Sequence, residues 1–208
     1  MAIYMMREDW GGSYTPTANT IAYYPLKSDI LDHSGNGKDL SWTNYSFDGN
    51  FITVSYLTWP QVTPENTTGD RTVSGWVNTS SGTCKYNFRR TSDWPLGYIM
   101  GQDNENWNRP WGSLYLNGWK RCRPSSTSVW TIFLMTRTKT WTTMNLYLNG
   151  SLVSTNTSLW TSTRTSSGTV VQWIGSGKYS EIIIEDKVWT AQEVLDYYNL
   201  TKWNYWIS

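Results

Sequence analysis

Apolar and β-branched residues occur from Thr20 onward in short runs that are separated by Gly, Pro, Asn and Asp. The runs recur about every 10 to 15 residues, a spacing typical of antiparallel sandwiches and barrels. The pattern therefore predicts an all-β fold. The candidate strands are Ile21–Leu26, Leu40–Phe47, Phe51–Leu57, Arg71–Val77, Lys85–Arg89, Leu96–Gly101, Ser113–Leu116, Val129–Arg137, Met144–Leu148, Leu152–Thr155, Val170–Gly175 and Glu181–Trp189.

Two hairpins and one helix have local signals. Asn149-Gly150 separates two alternating runs, and Asn-Gly favours a type I′ turn because both central residues need positive φ. Leu114–Gly118 repeats the pattern Leu-Tyr-Leu-Asn-Gly and predicts a second hairpin. Thr190-Ala-Gln-Glu193 has the form of a capping box, and apolar residues follow at helical spacing: Val194, Leu195, Tyr197 and Tyr198. We expect this helix to end near Thr201 and to pack on the sandwich by one face.

Residues 1–19 lack periodicity and are rich in Gly, Ser, Thr and Pro, which predicts an N-terminal arm or linker. The remainder, residues 20–208, has the length of a single domain. Arg7, Glu8 and Asp9 lie in the first 12 residues without an apolar stretch, so this segment does not have the pattern of a secretory signal. The longest apolar runs are too short to cross a bilayer, and we expect no membrane insertion.

Composition narrows the possible partners. Lys plus Arg number 17 and Asp plus Glu number 16, giving a net charge of +1 and no basic excess for nucleic acid. The chain has 15 Trp and 14 Tyr against 4 Phe. Aromatic rings that carry a polar group suit binding faces as well as cores. Cys84 and Cys122 can pair if their strands are neighbours or can both be free thiols.

The order of several segments along the chain is informative: Ile21–Leu26, Asp29, Asp32–Gly37, Thr72–Val77, Met144–Gly150 and Ile182–Trp189 with the helix after it. This order resembles that of the laminin-G-like, concanavalin A-like lectin domains of the glucanase superfamily. The likeness covers roughly residues 20 to 200. It implies a jelly-roll sandwich of two antiparallel sheets with one short C-terminal helix, about 190–201, a fold that commonly binds glycans or proteins and sometimes calcium.

One loop offers oxygen ligands for a structural Ca²⁺ ion. Asp32, Ser34, Asn36 and Asp39 follow one another at near-alternate positions, and calcium prefers six to eight oxygen ligands. The resemblance implies that Asp29 and Glu185 can complete the set. The alternative is a loop whose side chains bond only its own backbone, as in Asx-turns. His33 is predicted to be a solvated loop residue.

A second polar segment is the predicted ligand site. Sugars accept and donate hydrogen bonds through their hydroxyls and stack their C–H faces on flat aromatic rings. A loop with this chemistry, placed at a sandwich edge, would bind a glycan or cell-surface ligand; the alternative is a solvated hairpin loop in which Trp111 caps the core. The candidate residues are Trp94, Asp103, Asn104, Asn106, Trp107, Arg109 and Trp111.

Other tryptophans are predicted to lie in the core or in turns rather than at a ligand site. Trp76, Trp173 and Trp189 lie inside predicted strands and are expected in the core or on a sheet face. Trp42, Trp119, Trp141 and Trp206 stand where turn chemistry favours Gly. One hypothesis is that the genetic code of the source organism reads the codon UGA as Gly, and that these codons were translated as Trp in the printed sequence. The intact mass of the native protein would test it.

We expect a non-catalytic, lectin-like adhesion module, extracellular or on a virion surface such as that of a phage, acting alone or in a homo-oligomer or larger surface assembly. One alternative is a structural module without glycan binding. Another is a glycoside hydrolase, in which Glu181 and Glu185 would share one face of a strand. The residue between them on that face is Ile183, where the glucanase pattern needs a carboxylate.

Overall fold

The structure is a computed structural model of the whole chain. It describes residues 11–40, 44–54, 57–58, 70–78, 85–90, 97–103, 109–115, 119–122, 132–140, 142–157, 170–174 and 177–205. Within the strands at 57–58, 85–122 and 170–174 the description is of the backbone.

The described strands form two antiparallel sheets of a β-sandwich, as the periodicity predicts. The eight-stranded sheet has the order β12-β11-β10-β5-β14-β3-β2, with β1 added beside β14. Its strands are β1 (Thr20–Tyr24), β2 (Tyr45–Phe47), β3 (Ile52–Val54), β5 (Arg71–Asn78), β10 (Ile132–Lys139), β11 (Met144–Leu148), β12 (Ser151–Asn156) and β14 (Gly177–Glu185). The six-stranded sheet has the order β4-β13-β6-β7-β8-β9. Its strands are β4 (Leu57–Thr58), β6 (Lys85–Arg90), β7 (Gly97–Asp103), β8 (Arg109–Tyr115), β9 (Trp119–Cys122) and β13 (Val170–Ile174).

The local signals in the sequence are confirmed. Asn149 and Gly150 have φ of 49° and 80° and join β11 to β12, while β8 pairs with β9 around residues 116–118. Helix α1 (Ala191–Thr201) begins after a complete capping box between Thr190 and Glu193. A 3₁₀ turn (Lys202–Asn204) follows it.

The eight-stranded sheet has a buried cluster on each face. One cluster is aliphatic, built around Ile182, Ile184 and their neighbours in β3, β5, β10 and β11. The other is aromatic and lies beneath α1, with Trp76, Ile183, Trp189 and Tyr197 among its members. Helix α1 contributes Val194, Tyr197 and Thr201 to this buried face. Among the described residues, no helix is long and apolar enough to span a bilayer.

Some predicted boundaries are wrong. Residues 109–111 were expected in a loop but belong to β8, which pairs along its whole length with β7. Strand β9, the second strand of the predicted hairpin after Leu114, was not among the candidate strands. Leu40 lies outside any strand, where its N–H bonds the Ile30 carbonyl. The last strand was expected at Glu181–Trp189, but it begins at Gly177 and ends at Glu185. Leu195 was expected on the packed face of α1 and is 38% exposed.

Three aromatic positions can be compared with their expected places. Trp76 and Trp189 are buried in the aromatic cluster, as predicted. Trp173 lies in β13, and its side chain is outside the described part. The four turn tryptophans that carry the recoding hypothesis, and the pairing of Cys84 with Cys122, also fall on residues or side chains outside the description, so both stay predictions.

Candidate functional site

A cleft of about 520 Å³ lies between the N-terminal arm, the end of β14 and helix α1. We call it the arm–helix cleft. Its volume lies within the range of small-molecule sites, about 300 to 1,000 Å³. The lining combines hydroxyl, amide and charged groups with two tyrosines, one tryptophan and one leucine. The lining residues are Ser13, Tyr14, Thr15, Thr17, Asn19, Glu185, Lys187, Trp189, Glu193, Asp196, Tyr197 and Leu200.

The arm is fixed to the C-terminal end of the chain by backbone contacts. The Gly12 N–H donates to the Leu200 carbonyl at 3.0 Å, and Asn204 Nδ2 donates to the Gly12 carbonyl at 2.9 Å. A Cβ at Gly12 would stand 2.1 Å from Leu200 Cδ1, so a larger residue there would have to displace that side chain. This close approach places residues 13–19 along one wall of the cleft.

Glu185 joins the arm to the sheet. It is the last residue of β14, it pairs with Thr20 of β1, and it is 2% exposed. Its Oε1 accepts from the Tyr14 hydroxyl, from Thr17 Oγ1 at 3.0 Å and from Thr20 Oγ1 at 3.3 Å. Its Oε2 accepts from the indole N–H of Trp189. A buried carboxylate with four neutral donors is well satisfied and holds three segments together.

Tyr14 covers the floor of the cleft with its ring. The ring meets Tyr23 edge-on at 5.1 Å and Tyr197 edge-on at 6.1 Å. Burial, and then the hydrogen bond to Glu185, raise the pKa of Tyr14 above its usual value of 10.0. The hydroxyl therefore stays protonated at neutral pH and remains a donor to the carboxylate.

The rim of the cleft carries charges. Lys187 and Glu193 form an ion pair whose hydrogen bond raises the pKa of the lysine and lowers that of the carboxyl. Asp196 is exposed, and its Oδ1 accepts from Gln192 Nε2 at 2.8 Å. Three carboxylates and one ammonium thus line the site.

The two glutamates considered for hydrolysis occupy different surroundings. Both lie on the helix-facing side of the sheet, where Tyr197 Oη donates to Glu181 at 2.8 Å. Glu181 is completely buried, and Lys27 Nζ lies 3.0 Å from its Oε1. The two groups form an ion pair, although their angles do not meet those of a hydrogen bond. It has a φ of 49° at a bulge in the pairing of β14 with β5. Of the two, only Glu185 lines the cleft.

The predicted calcium loop is held by hydrogen bonds within the loop and to strand β1. Asp32 accepts from the N–H groups of Tyr23, Ser34 and Lys38 and from the Ser34 hydroxyl. Burial alone would raise the pKa of Asp32, but these bonds together lower it below 3.8. Asp39 accepts from the Asp32 N–H. The Asp32 side chain therefore makes Asx-type bonds within the loop and a further bond to the backbone of β1, and calcium binding here stays a prediction.

The other candidate metal ligands point to different partners. Asp29 accepts from the Leu31 N–H and contacts exposed His33, while Asn36 Nδ2 donates to the Thr20 carbonyl at 2.8 Å. Glu185 turns its carboxylate toward the arm, as described above. In the described part of the chain, no three His, Cys, Asp or Glu side chains form a group suited to a metal ion.

The predicted ligand hairpin is described by its backbone. Asp103 ends β7 and pairs with Arg109 at the start of β8, and Gly101 pairs with Trp111. Trp94, Asn104, Asn106 and Trp107 lie outside the described residues. The pairing brings Asp103 and Arg109 together at the tip of a hairpin, and the binding role of this tip remains a prediction.

Sequence reasoning missed most of the arm–helix cleft. Glu185 was singled out as a metal ligand or catalytic acid rather than as the acceptor that holds the arm. Tyr14 lies in the segment predicted to be an arm or a linker and was not singled out, although it is the only aromatic residue between Trp10 and Tyr23. An isolated aromatic in a Gly, Ser and Thr-rich segment was the available signal that the segment packs on the domain.

Comparisons of sequence find no relative. No protein-family model matches the chain. No characterised protein matches it in sequence either.

Comparisons of structure do find similar folds. The binding domain of botulinum neurotoxin serotype C1 superposes with a TM-score of 0.66 at 13% identity, covering 87% of this chain and 52% of that one. The botulinum neurotoxin DC binding domain, solved in complex with SialylT, gives 0.65 at 14% identity, covering 88% and 51%. The same DC domain, solved with rat synaptotagmin II, gives 0.64 at 14%, covering 87% and 51%. The chain therefore spans about half the length of these structures, and the likeness establishes the β-sandwich fold.

Proposed function

We propose that this domain is a non-catalytic binding module for carbohydrate or for a cell surface, with the arm–helix cleft as its ligand site. The observation that carries the proposal is the cleft itself, where the exposed polar groups of Thr15, Asn19 and Asp196 lie beside the half-buried ring of Tyr14. Sugars need this combination, since their hydroxyls require fixed hydrogen-bond partners and their C–H faces favour flat rings.

Two further considerations support the proposal. The structures with similar folds are toxin binding domains, and one of them was solved with SialylT. A retaining glycosidase needs two carboxylates about 5–5.5 Å apart in one site. In the described part of the chain, Glu185 faces the cleft while Glu181 is enclosed with Lys27 and Tyr197. A lectin-like adhesion module on a virion or other surface is therefore favoured over a hydrolase.

The hairpin tip and the calcium loop stand as separate proposals. Asp103, Arg109 and Trp111 would give a second contact area for a glycan at the end of β7 and β8. Calcium at Asp29, Asp32, Ser34, Asn36 and Asp39 would have to exchange some hydrogen bonds on Asp32 for metal contacts, because both of its oxygens are already used.

The domain is expected to bind a defined subset of glycans on an array. We expect the same glycans to bind when Ca²⁺ is removed by a chelator, because the lining of the cleft does not include the calcium loop. Loss of binding with chelator would instead support a role for the metal. No binding in either condition would contradict the proposal and favour a structural module. Release of sugar from a β-glucan that disappears with Glu181→Gln would show a hydrolase.

A further inference from the structure

We infer that the arm–helix cleft selects uncharged or ammonium-bearing glycans and rejects sialylated, sulfated or otherwise anionic ones. The inference rests on the proposed function and names the ligand class of the same site. It follows from the sign and the pairing of the charges that line the cleft.

The first step is the balance of charge. Glu185, Glu193 and Asp196 line the cleft together with one cation, Lys187, which gives a net charge of −2. The ion pair between Lys187 and Glu193 neutralises one of the three carboxylates and occupies that lysine. The two carboxylates of Glu185 and Asp196 account for the remaining charge.

The second step is that neutral donors satisfy these two carboxylates. Glu185 accepts from three hydroxyls and one indole N–H, and Asp196 accepts from the Gln192 amide. Neutral donors orient an anion but leave its net charge in place. Among the described residues, no guanidinium or ammonium lines the cleft in a position to bind a ligand carboxylate or sulfate, other than the Lys187 already paired.

The third step concerns the ligand. An anionic group that enters the cleft would be placed beside like charges, an arrangement that weakens binding and that proteins use to suppress wrong partners. A ligand ammonium or hydroxyl would donate to the exposed Asp196 oxygens instead. The half-buried Tyr14 ring and the exposed Leu200 side chain would contact the apolar face of the sugar.

The test compares pairs of glycans that share a core and differ in charge, on one array at low and at moderate salt. The probes are lactose with 3′-sialyllactose, and N,N′-diacetylchitobiose with its deacetylated diamine, besides the other glycans of the array. We expect every bound glycan to be neutral or amine-bearing. Asp196→Lys should lower the ratio of the affinity for neutral or amine-bearing glycans to the affinity for anionic glycans about tenfold. Added salt should reduce this effect. Asp70→Lys makes the same charge change at an exposed residue outside the cleft and should leave the preference unchanged.

The outcomes separate the two claims. An array on which nothing binds would overturn the proposed function, and the charge selection with it. Binding of sialylated or sulfated glycans would overturn the charge selection alone, whether or not Asp196→Lys affects it, and would leave a glycan-binding domain with a different site or specificity. Equal losses of preference in Asp196→Lys and Asp70→Lys would show that overall charge, not the cleft, controls the preference, and no loss in either variant would overturn the charge selection.

Discussion

Replacing Trp76 by alanine is expected to lower the free energy of unfolding by about 3–5 kcal/mol, the usual range for removing a large buried aromatic. Trp76 is 2% exposed and lies under helix α1. Its indole N–H donates to Thr201 Oγ1 at 3.0 Å, and its ring stacks on Tyr205 at 4.4 Å between centroids. The substitution removes both contacts and leaves a cavity where the helix docks. Urea unfolding followed by far-UV circular dichroism measures the change.

Trp203 provides the matched control for this prediction. It is 50% exposed in the 3₁₀ turn after α1, where Lys202 Nζ lies 5.2 Å from its ring centroid. Trp203→Ala should change the stability by less than about 1 kcal/mol. Similar losses for the two variants would contradict the assignment of Trp76 as the anchor of the helix.

Replacing Glu185 by alanine is expected to lower the stability by about 3 kcal/mol and to release the arm. The substitution leaves the hydroxyls of Tyr14, Thr17 and Thr20 and the Trp189 indole without their common acceptor. Each buried donor without a partner carries a penalty of about 1–3 kcal/mol, and the rotatable hydroxyls can recover part of it through other bonds. The stability loss is measured by urea unfolding, and the release of the arm by amide hydrogen exchange over residues 12–20.

Glu185→Gln separates shape from charge in this prediction. The amide keeps the size of the side chain and one oxygen acceptor, so the loss should fall to about 1 kcal/mol and the arm should stay protected. Unchanged hydrogen exchange in the alanine variant would mean that the arm is held by Gly12, Leu200 and Asn204 without help from Glu185.

The parts of the fold that depend only on residues close together in the sequence could be predicted from it. The turn at Asn149-Gly150 needs two positive φ angles, and the capping box of α1 needs only Thr190 and Glu193. Both signals act over a few residues, so distant packing does not overrule them. The alternating runs likewise indicate antiparallel strands without knowledge of their partners.

Strand boundaries and the cleft could not be predicted in this way. Strand β14 begins before the expected Glu181, because Gly177–Tyr179 pair with β3. A bulge between Ser180 and Ile183 then interrupts the pairing of β14 with β5. Tyr14 and Glu185 are 171 positions apart and meet only once β1 lies beside β14. A Gly, Ser and Thr-rich segment has no periodicity from which such a contact can be inferred, so the sequence left open whether residues 1–19 form an arm or a linker.

The most direct test is the affinity of the strongest glycan from the array for the wild-type domain and for Tyr14→Ala, measured by isothermal titration. Removing the Tyr14 ring should weaken binding at least tenfold, since it takes away both the cleft floor and a bond that holds the arm. Tyr45→Ala makes the same change at an exposed ring of β2 and should bind like the wild type. Wild-type affinity in Tyr14→Ala would contradict the cleft as the ligand site.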